Sequence, residues 1–442
     1  MATDNLMFTV RRQEAKLVAP SKSTPCVQLC LSDFDNHKGL RFQIENIFFY
    51  ARLEDGTMSH RDPAMVMREA LAKALVYYYP LAGRLREGLG HKPFVDCTGE
   101  GILFIEADAN ITLQQLGNIV QPPFPNSKEL LYNVPGSDNI IGCPLLLIQL
   151  TRLKCGGFVF AIRLNHLLCD ASGLGQFLIA VGELARGQEL SIMPVWKREL
   201  LNARDPPRVT SHHESPLVSM DKDNMGVIRS FFFLRTEVEA LRKLVPRELH
   251  ACTTFDLITA CLWRCRTIAL GIHPDVEVRV VILMNARKKF QPQFPSGYYG
   301  NAAVTPSALS IAGKLCRNPL GYAVNLVMKA KKEVTDEYLR SIVQKGRPYI
   351  TTKNNYFVSD LRHSGFSEID IGWGKPRYGG GLKCREWDSM FIPTKNERGE
   401  DGIVVPIMLS ELAMKVFEEE LLSLLKHASH QHHYCFNSKS SI

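Results

Sequence analysis

A histidine, His166, stands where a predicted buried strand gives way to a loop. Residues 156–163 are apolar, aromatic and β-branched, which predicts a strand inside a sheet, and residues 174–181 predict a helix packed on its apolar face. His166 lies between them, where a side chain can face a cleft while its backbone stays anchored in the sheet. Because a neutral imidazole is well matched to accepting a proton near pH 7, His166 is a candidate general base.

Asp170 follows His166 by four residues and allows two interpretations. A carboxylate at this spacing could fix the tautomer and orientation of the imidazole, or it could brace the loop. The alternative for His166 itself is a buried histidine whose hydrogen bonds are satisfied. The pattern His-x-x-x-Asp fixes only two positions and recurs by chance, so the catalytic interpretation depends on further motifs in the chain.

Further motifs do occur, and together they identify a resemblance. Besides His166-x-x-x-Asp170 they are Asp370-Ile371-Gly372-Trp373-Gly374, Tyr79-Pro80-Leu81-Ala82-Gly83-Arg84-Leu85, Thr254-Phe255-Asp256, Ala260-Cys261-Leu262-Trp263, Asn285-Ala286-Arg287 and Gly297-Tyr298-Tyr299-Gly300-Asn301. In order and spacing the chain resembles the plant BAHD acyltransferases from about Val18 to Glu420, with Ile371 where the family usually has Phe. It looks closest to the branch that makes esters from simple alcohols, such as the benzyl alcohol benzoyltransferases, methanol anthraniloyltransferases and fruit alcohol acyltransferases.

The resemblance implies an α/β fold of two chloramphenicol-acetyltransferase-like domains, each a mixed β-sheet flanked by helices, with a channel at their interface. The length of 442 residues fits two domains. Between Met193 and Asp221 polar residues are interrupted by prolines, which marks the best domain boundary. We therefore expect an N-terminal domain at residues 1–192, a crossover loop at 193–221, a C-terminal domain at 222–425 and a disordered tail at 426–442.

Local patterns predict several elements. Asp62 as N-cap and Pro63 at the first helical position begin an amphipathic helix, and a second helix is expected to begin at Thr112. Strands are expected near residues 42–50, 101–107, 145–150, 158–164, 229–234, 278–284 and 356–360.

The resemblance also implies roles for individual residues. Arg287 pairs with Asp170 and ties the two halves together, so Asp170 is structural rather than the partner of the imidazole. Ser359 falls near the position of a hydroxyl that can donate to a developing oxyanion, although Asp360-Leu361 replaces the Ser-Trp that follows it in many relatives. Asp370 is a further catalytic candidate, while the loop formed by Gly372, Trp373 and Gly374 is expected to shape the cofactor channel.

The helix that begins near Thr253 and Thr254 is the candidate site for coenzyme A, with Arg287 as a further contact. The N-terminus of a helix offers free backbone N–H groups to a phosphate or a pantetheine amide. Plain capping of the helix by Thr253 or Thr254 is the alternative, and the residues alone do not decide between the two.

These observations predict transfer of an acyl group, such as benzoyl or acetyl, from coenzyme A to an alcohol. His166 acts as general base. No covalent acyl-enzyme is needed, because both substrates can be bound at once and no cysteine or serine stands beside His166 in the motif. Cys169 lies in the loop and is interpreted as a packing residue. Two alternatives remain. The acceptor could be an amine or a bulky alkaloid or terpenoid alcohol, or the protein could be an idle relative that only binds acyl-CoA. Retention of His166, Asp170 and Arg287 argues against the idle relative.

Composition excludes several other classes. The net charge of +8 comes from dispersed basic residues, so a nucleic-acid surface is not expected. We expect no secretory signal, no membrane span and no metal site, and we interpret the twelve cysteines as reduced thiols of a cytoplasmic protein. The histidine-rich segment after residue 426 is interpreted as part of the disordered tail. Acyl-CoA is expected as co-substrate without a permanent cofactor, and the family implies a monomer.

Overall fold

The computed structural model describes residues 8–53, 58, 60–88, 91–117, 120–204, 226–345 and 354–428. Most of the predicted crossover loop, residues 205–221, and the predicted tail from residue 429 onward lie outside these ranges. The fold within them is mixed α/β, as the sequence predicts, and contains two large sheets.

The first sheet has seven strands in the order β1-β7-β8-β9-β4-β15, with β2 paired beside β7. The strands are β1 (Val10–Arg12), β2 (Lys16–Val18), β4 (Gln43–Tyr50), β7 (Ile102–Ala109), β8 (Leu146–Leu153), β9 (Phe158–Asn165) and β15 (Tyr378–Gly381). Only β7 and β8 run parallel to each other among these pairs. All eight residues of β9 are buried, because the strand is central and both of its faces are covered.

The second sheet also has seven strands, in the order β10-β17-β16-β14-β11-β12, with β13 paired beside β11. The strands are β10 (Val227–Phe233), β11 (Glu277–Asn285), β12 (Ala303–Val304), β13 (Ser307–Ile311), β14 (Asn355–Asp360), β16 (Asp388–Lys395) and β17 (Asp401–Leu409). Strand β14 runs parallel to both neighbours, β11 and β16. A small third sheet contains β3 (Gln28–Cys30), β5 (Arg84–Glu87) and β6 (Pro93–Asp96).

Helices cover both large sheets. They are α1 (Pro63–Tyr77), α2 (Ser127–Leu130), α3 (Ala171–Ala185), α4 (Arg235–Lys243), α5 (Thr254–Ala269), α6 (Ala312–Arg317), α7 (Leu320–Lys332), α8 (Asp336–Lys345) and α9 (Glu411–Ala428). The predicted start of α1 is confirmed, since the Asp62 side chain accepts from Ala64 N and Pro63 is the first helical residue. No helix in the described ranges is long and apolar enough to span a membrane.

The helix expected at Thr112 is wrong. Thr112 and Gln115 do form reciprocal capping bonds, with Thr112 N donating to Gln115 Oε1 at 2.9 Å and Gln115 N to Thr112 Oγ1 at 3.2 Å. The chain nevertheless makes only a turn, because Gly117 at φ +132° leaves the helical region. The capping residues that favour a helix start at Thr112 are therefore followed within five residues by Gly117, where the helical conformation ends.

Two large apolar clusters form the main cores, and a segment between β14 and β16 belongs to the first of them. After β14 the chain leaves the second sheet, and Leu361, Phe366, Ile369, Ile371 and Trp373 join the core of the first half. Strand β15 then pairs with β4, so it forms an edge of the first sheet, and β16 returns to the second. Residues 361–382, within the range expected for the C-terminal domain, thus belong structurally to the first half.

Candidate active site

His166 is the first residue after β9, as the sequence predicts, and its backbone is held on one side by Phe42. The His166 N–H donates to the Phe42 carbonyl at 3.0 Å. The Phe42 ring meets the imidazole edge-on, with ring centroids 4.9 Å apart. His166 is half-buried. The strand therefore fixes the main chain while the imidazole lies against an aromatic side chain at the edge of the first half.

Asp170 is fully engaged by groups other than the imidazole. Its Oδ1 accepts from Arg287 Nη2 at 2.9 Å and from Gly173 N at 3.1 Å, and its Oδ2 accepts from Arg287 Nη1 and from Ala302 N, both at 2.9 Å. These four bonds fill the acceptor sites of a carboxylate. Asp170 thereby caps α3 and ties the loop to residues 287 and 302 of the second half.

The ion pair also sets the charge state of Asp170. Burial alone would raise the pKa of this carboxyl, but the Arg287 guanidinium and the hydrogen bonds hold that pKa below its ordinary value. Burial alone would lower the pKa of Arg287, but the charge of Asp170 and its hydrogen bonds, with smaller contributions from other neighbours, together raise that pKa above its ordinary value. Both groups are therefore charged at neutral pH.

Helix α3 approaches the second half of the sequence so closely that glycine is needed at three positions. A Cβ atom on Gly173 would lie 2.0 Å from the Tyr299 carbonyl oxygen, one on Gly175 would lie 1.8 Å from that of Ser364, and one on Gly182 would lie 2.4 Å from that of Asp370. These glycines weaken the helix intrinsically. They allow main chain from later in the sequence to lie directly on α3.

The motif that begins at Asp370 forms a tight loop on the first half. The Asp370 side chain accepts from Gly372 N at 2.8 Å and from Gly374 N at 3.0 Å, and both glycines have positive φ, +103° and +77°. The ring of Trp373 packs edge-on against Phe158 with a centroid distance of 5.4 Å. Gly372, Trp373 and Gly374 thus form a tight loop that packs on the first half, while their role in shaping a cofactor channel stays a prediction.

The same geometry corrects the expectation that Asp370 is a catalytic candidate. The Asp370 backbone lies against Gly182, twelve residues along α3 from Asp170. At about 1.5 Å of rise per residue that separation is about 18 Å. The structure therefore does not bring Asp370 to His166, and its carboxylate organises its own loop instead.

Ser359 lies on β14 and faces away from the second core. Val358 and Tyr356 point into that core, so the half-buried Ser359 points to the opposite face. It pairs with Leu283 of β11, and two residues further along β11 the Asn285 amide donates to Ser172 Oγ of α3 at 3.1 Å. Ser359 therefore lies on the same face of the second sheet as Asn285, whose side chain contacts α3 of the first half.

Thr253 caps α5 through a reciprocal pair of bonds. Its hydroxyl donates to Asp256 Oδ2 at 2.8 Å and accepts from Asp256 N at 3.2 Å, and Thr253 N donates to Asp256 Oδ2 at 2.9 Å. The carboxylate of Asp256 also pairs with Lys331 Nζ at 2.7 Å. The alternative of plain capping is therefore present in the structure. Thr254, the first residue of the helix, is half-buried beside this cap.

Three buried polar residues to which the sequence analysis assigns no role lie behind the His166 loop. Arg198, in the short 3₁₀ helix Arg198–Leu201, donates from Nη1 to both Asp35 oxygens at 3.2 and 3.1 Å. Asn301 Nδ2 donates to Asp35 Oδ1 at 2.8 Å. We call Asp35, Arg198 and Asn301 the buried hub. Asn301 belongs to a recognised motif, but no sequence signal marks Asp35 as its partner, since 266 residues separate them.

A cavity of about 230 Å³ lies between the two halves, beside the ion pair. Ser172 and Gln176 of α3 line one side, and Arg287, Lys288 and residues 293–298 line the other. Within the described ranges, no group of three or more His, Cys, Asp or Glu side chains is arranged to hold a metal ion.

Fold and site together define a class: an α/β protein of two sheet-rich halves, with a histidine loop of the first half held by an arginine of the second. A model of the Transferase family matches residues 8–424. Benzyl alcohol O-benzoyltransferase of Petunia hybrida is 54% identical over 441 residues, covering 96% of this chain and 95% of the relative. Alcohol acyl transferase 1 (allele GSa) of Malus domestica is 50% identical over 430 residues, covering 93% of each.

Solved structures agree on the fold. Vinorine synthase superposes with a TM-score of 0.73 at 23% identity, covering 94% of this chain and 98% of that one. TRI101 of F. sporotrichioides, complexed with coenzyme A and T-2, also gives a TM-score of 0.73, at 16% identity over 90% of this chain and 98% of that one. The chain belongs to the Transferase family, the BAHD acyltransferases, and is an acyltransferase.

Proposed function

We propose that this protein transfers an acyl group from acyl-CoA to the hydroxyl of an alcohol and releases an ester and free coenzyme A. The observation that carries the proposal is the position of His166, at the junction of the halves, in a loop whose carboxylate is fully occupied by Arg287, Gly173 and Ala302. Asp170 therefore shapes the loop that carries His166. The names of the Petunia and Malus relatives support an alcohol acceptor and, for the first, a benzoyl donor.

In the proposed reaction the neutral His166 imidazole accepts the hydroxyl proton of the alcohol as its oxygen attacks the thioester carbonyl. A C–O bond forms, and the carbonyl oxygen becomes an oxyanion. The tetrahedral intermediate then collapses, the C–S bond breaks, and the thiolate of coenzyme A takes the proton back from the imidazolium. The products are the ester and the free thiol, and His166 returns to its neutral form.

Direct transfer between two bound substrates fits the character of Cys169. This thiol is 1% exposed, and burial raises its pKa well above the ordinary value. A nucleophilic cysteine needs the opposite environment, one that lowers its pKa and leaves it accessible. The interpretation of Cys169 as a packing residue is thus supported, and the proposed reaction passes through no acyl-enzyme.

For the oxyanion we propose Ser359 as a donor, on the basis of its placement on the face of β14 that points away from the second core. Ser359→Ala should lower kcat by about 10²-fold, in the range seen when one oxyanion donor is removed. Ser389→Ala is the matched control. Ser389, on the neighbouring strand β16, is buried and donates to the Pro406 carbonyl at 3.0 Å, so its loss should affect stability rather than kcat.

The test of the proposed function is release of the coenzyme A thiol, measured with a thiol reagent. Acetyl-, butanoyl-, benzoyl- and tigloyl-CoA are each combined with methanol, hexanol, benzyl alcohol, benzylamine and one bulky alkaloid alcohol. We expect the highest rate with benzoyl-CoA and benzyl alcohol, with the ester identified by mass spectrometry. His166→Ala should reduce turnover by about 10² to 10⁴, the usual contribution of a general base.

The remaining outcomes separate the alternatives. Amide formation with benzylamine, or release only with the bulky alcohol, would assign a different acceptor. Binding of acyl-CoA without thiol release across the panel would support the idle relative. Near-normal turnover by a correctly folded His166→Ala protein would refute the general-base role.

We further propose that acyl-CoA is a co-substrate rather than a resident cofactor, and that the enzyme acts as a monomer in the cytosol. All eleven cysteines within the described ranges are free thiols, which suits a reducing compartment. Size-exclusion chromatography with light scattering tests the monomer, and a mass near 49.8 kDa is expected.

A further inference from the structure

The turn that carries His166 presents three consecutive backbone carbonyls to side chains from outside the turn. The two N–H groups of Asn301 Nδ2 are shared among Asp35 and two carbonyls of the turn, that of His166 at 2.9 Å and that of Leu167 at 3.2 Å. Arg198 Nη2 donates to the Leu168 carbonyl. These oxygens lie just beyond the end of β9, where the sheet no longer supplies partners. Asn301 and Arg198 therefore supply the partners of these three carbonyls, in addition to the bonds that Leu167 N and Leu168 N donate to Asn165.

Asp35 holds both donors in place. Its Oδ1 accepts from Asn301 Nδ2 at 2.8 Å, and both of its oxygens accept from Arg198 Nη1. Ser32 fixes the carboxylate through its hydroxyl at 2.7 Å. The three members of the hub are 0%, 1% and 0% exposed for Asp35, Arg198 and Asn301. They come from the N-terminal half, the segment after residue 193 and the C-terminal half, so the hub joins three distant parts of the chain.

The apolar residues packed around the buried hub indicate what its hydrogen bonds add to the structure. A third apolar cluster, which includes Phe34, Leu201, Tyr298 and Ala302, contains residues from the same three parts of the chain. Apolar packing alone would join these parts. A buried ion pair adds little net stability compared with apolar residues of similar volume. The directed bonds of the hub instead specify where the three carbonyls lie.

We propose that Asn301 is a positioning residue for the general base: its amide holds the His166 and Leu167 carbonyls and so sets where the imidazole stands between the two substrates. The proposal rests on the proposed function of His166. Displacement of a reacting group by about 1 Å can cost about a hundredfold in rate. Asn301 acts through the backbone and contacts no reacting atom, so its loss should affect kcat rather than substrate binding.

The test uses Asn301→Ala and Asn301→Ser in the full chain. Ala removes the donor entirely, whereas Ser keeps one shorter donor. We expect kcat to fall about ten- to a hundredfold for Ala and less for Ser, with KM for acyl-CoA and alcohol within about twofold of wild type. Calorimetric affinity for coenzyme A should likewise be retained.

Gln149→Ala is the matched control. Gln149 is also a fully buried amide with three contacts: it donates to the Glu129 carbonyl at 2.8 Å and Thr151 Oγ1 at 3.0 Å, and accepts from Tyr132 N at 2.8 Å. Gln149 lies within β8, and none of these hydrogen bonds is made with the His166 turn. The thermal midpoint should fall in both Gln149→Ala and Asn301→Ala, but kcat per folded molecule should fall only in the second.

Two results would overturn the inference: a normal kcat in folded Asn301→Ala, or a loss that merely follows the folded fraction as in Gln149→Ala. Should Asn301→Ala not fold, the same comparison is made with Asn301→Ser.

His166→Ala, measured in parallel, separates the positioning role of Asn301 from the general-base role of His166. Loss of turnover there with normal kcat in the Asn301 variants refutes only the positioning role, whereas normal turnover in His166→Ala refutes the general base itself.

Discussion

Arg287 and Asp170 join the two halves of the protein through two parallel bonds, each 2.9 Å long. The side chains are 17% and 8% exposed, so solvent screens the pair only weakly. Asp170→Asn keeps the shape of the side chain and an oxygen that can cap α3, but it leaves the Arg287 charge without its partner. Breaking a buried pair in this way costs about 3–5 kcal/mol of unfolding free energy.

Urea unfolding of Asp170→Asn measures this loss. The control is Glu239→Gln, which removes the exposed i,i+4 pair with Arg235, whose side chain is 91% exposed. That change should alter the free energy of unfolding by no more than about 1 kcal/mol. Equal losses of unfolding free energy in Asp170→Asn and Glu239→Gln would show that the ion pair between the halves stabilises the fold no more than an exposed pair does.

The contribution of Asp170 to stability should disappear in acid. Its folded-state pKa lies below the ordinary value of 3.8, so the folded state favours the ionised carboxylate. The stabilisation is therefore fully present above the unfolded-state pKa and is lost as pH falls through the folded-state pKa. The difference in unfolding free energy between wild type and Asp170→Asn should be constant from pH 5 to about pH 8 and shrink below about pH 4.

Denaturation series at several pH values check this prediction. The pH dependence of Glu239→Gln serves as the reference for an exposed carboxylate. A wild-type advantage that already declined near pH 6 would contradict a depressed pKa for Asp170.

Much of the site could be predicted because its residues lie in short motifs. The buried apolar run of residues 156–163 predicts β9, and His166 is the first residue after that strand. That Asp170 caps α3 is seen only in the structure. The pairing of Arg287 with Asp170 came from the family resemblance, since no local pattern joins residues 117 positions apart.

The remainder depends on contacts that local patterns do not encode. Strand β15 pairs with β4 across more than 300 residues of sequence, so the expected domain range could not show that residues 361–382 lie on the first half. Asp35 has no local feature that distinguishes it from a surface aspartate before the fold surrounds it. As a carboxylate in a motif, Asp370 is a catalytic candidate on sequence grounds, whereas in the structure it accepts hydrogen bonds from the N–H groups of its own loop.

The glycine contacts of α3 lead to a third prediction. Gly175→Ala should destabilise the protein, although alanine is the better helix former by about 1 kcal/mol. The added Cβ would lie 1.8 Å from the Ser364 carbonyl oxygen, and backbone cannot move aside as a flexible side chain can. Loss of turnover should accompany the loss of stability, because α3 begins directly after the His166 loop.

Thermal unfolding compares Gly175→Ala with Asn325→Ala, at an exposed position inside α7. The second change improves helix propensity without a close neighbour and should raise stability by a few tenths of a kcal/mol. A stabilised Gly175→Ala protein would show that α3 does not require the close backbone approach.

Two adjacent threonines at the start of α5 offer the last prediction, because only Thr253 caps the helix through its side chain. The Thr253 hydroxyl is engaged with Asp256 both as donor and as acceptor. Thr253→Ala should therefore lower the free energy of unfolding by about 1 kcal/mol, the usual value of an N-cap, and leave KM for acyl-CoA unchanged.

Thr254→Ala should show the opposite behaviour if the start of α5 binds coenzyme A: stability close to wild type, with KM for acyl-CoA raised severalfold and KM for the alcohol unchanged. Steady-state kinetics and urea unfolding on the same two preparations distinguish the roles, each variant serving as the control for the other. A KM for acyl-CoA that stayed constant in both variants would leave α5 as a capped structural helix and move the coenzyme A contacts to other residues, Arg287 among them.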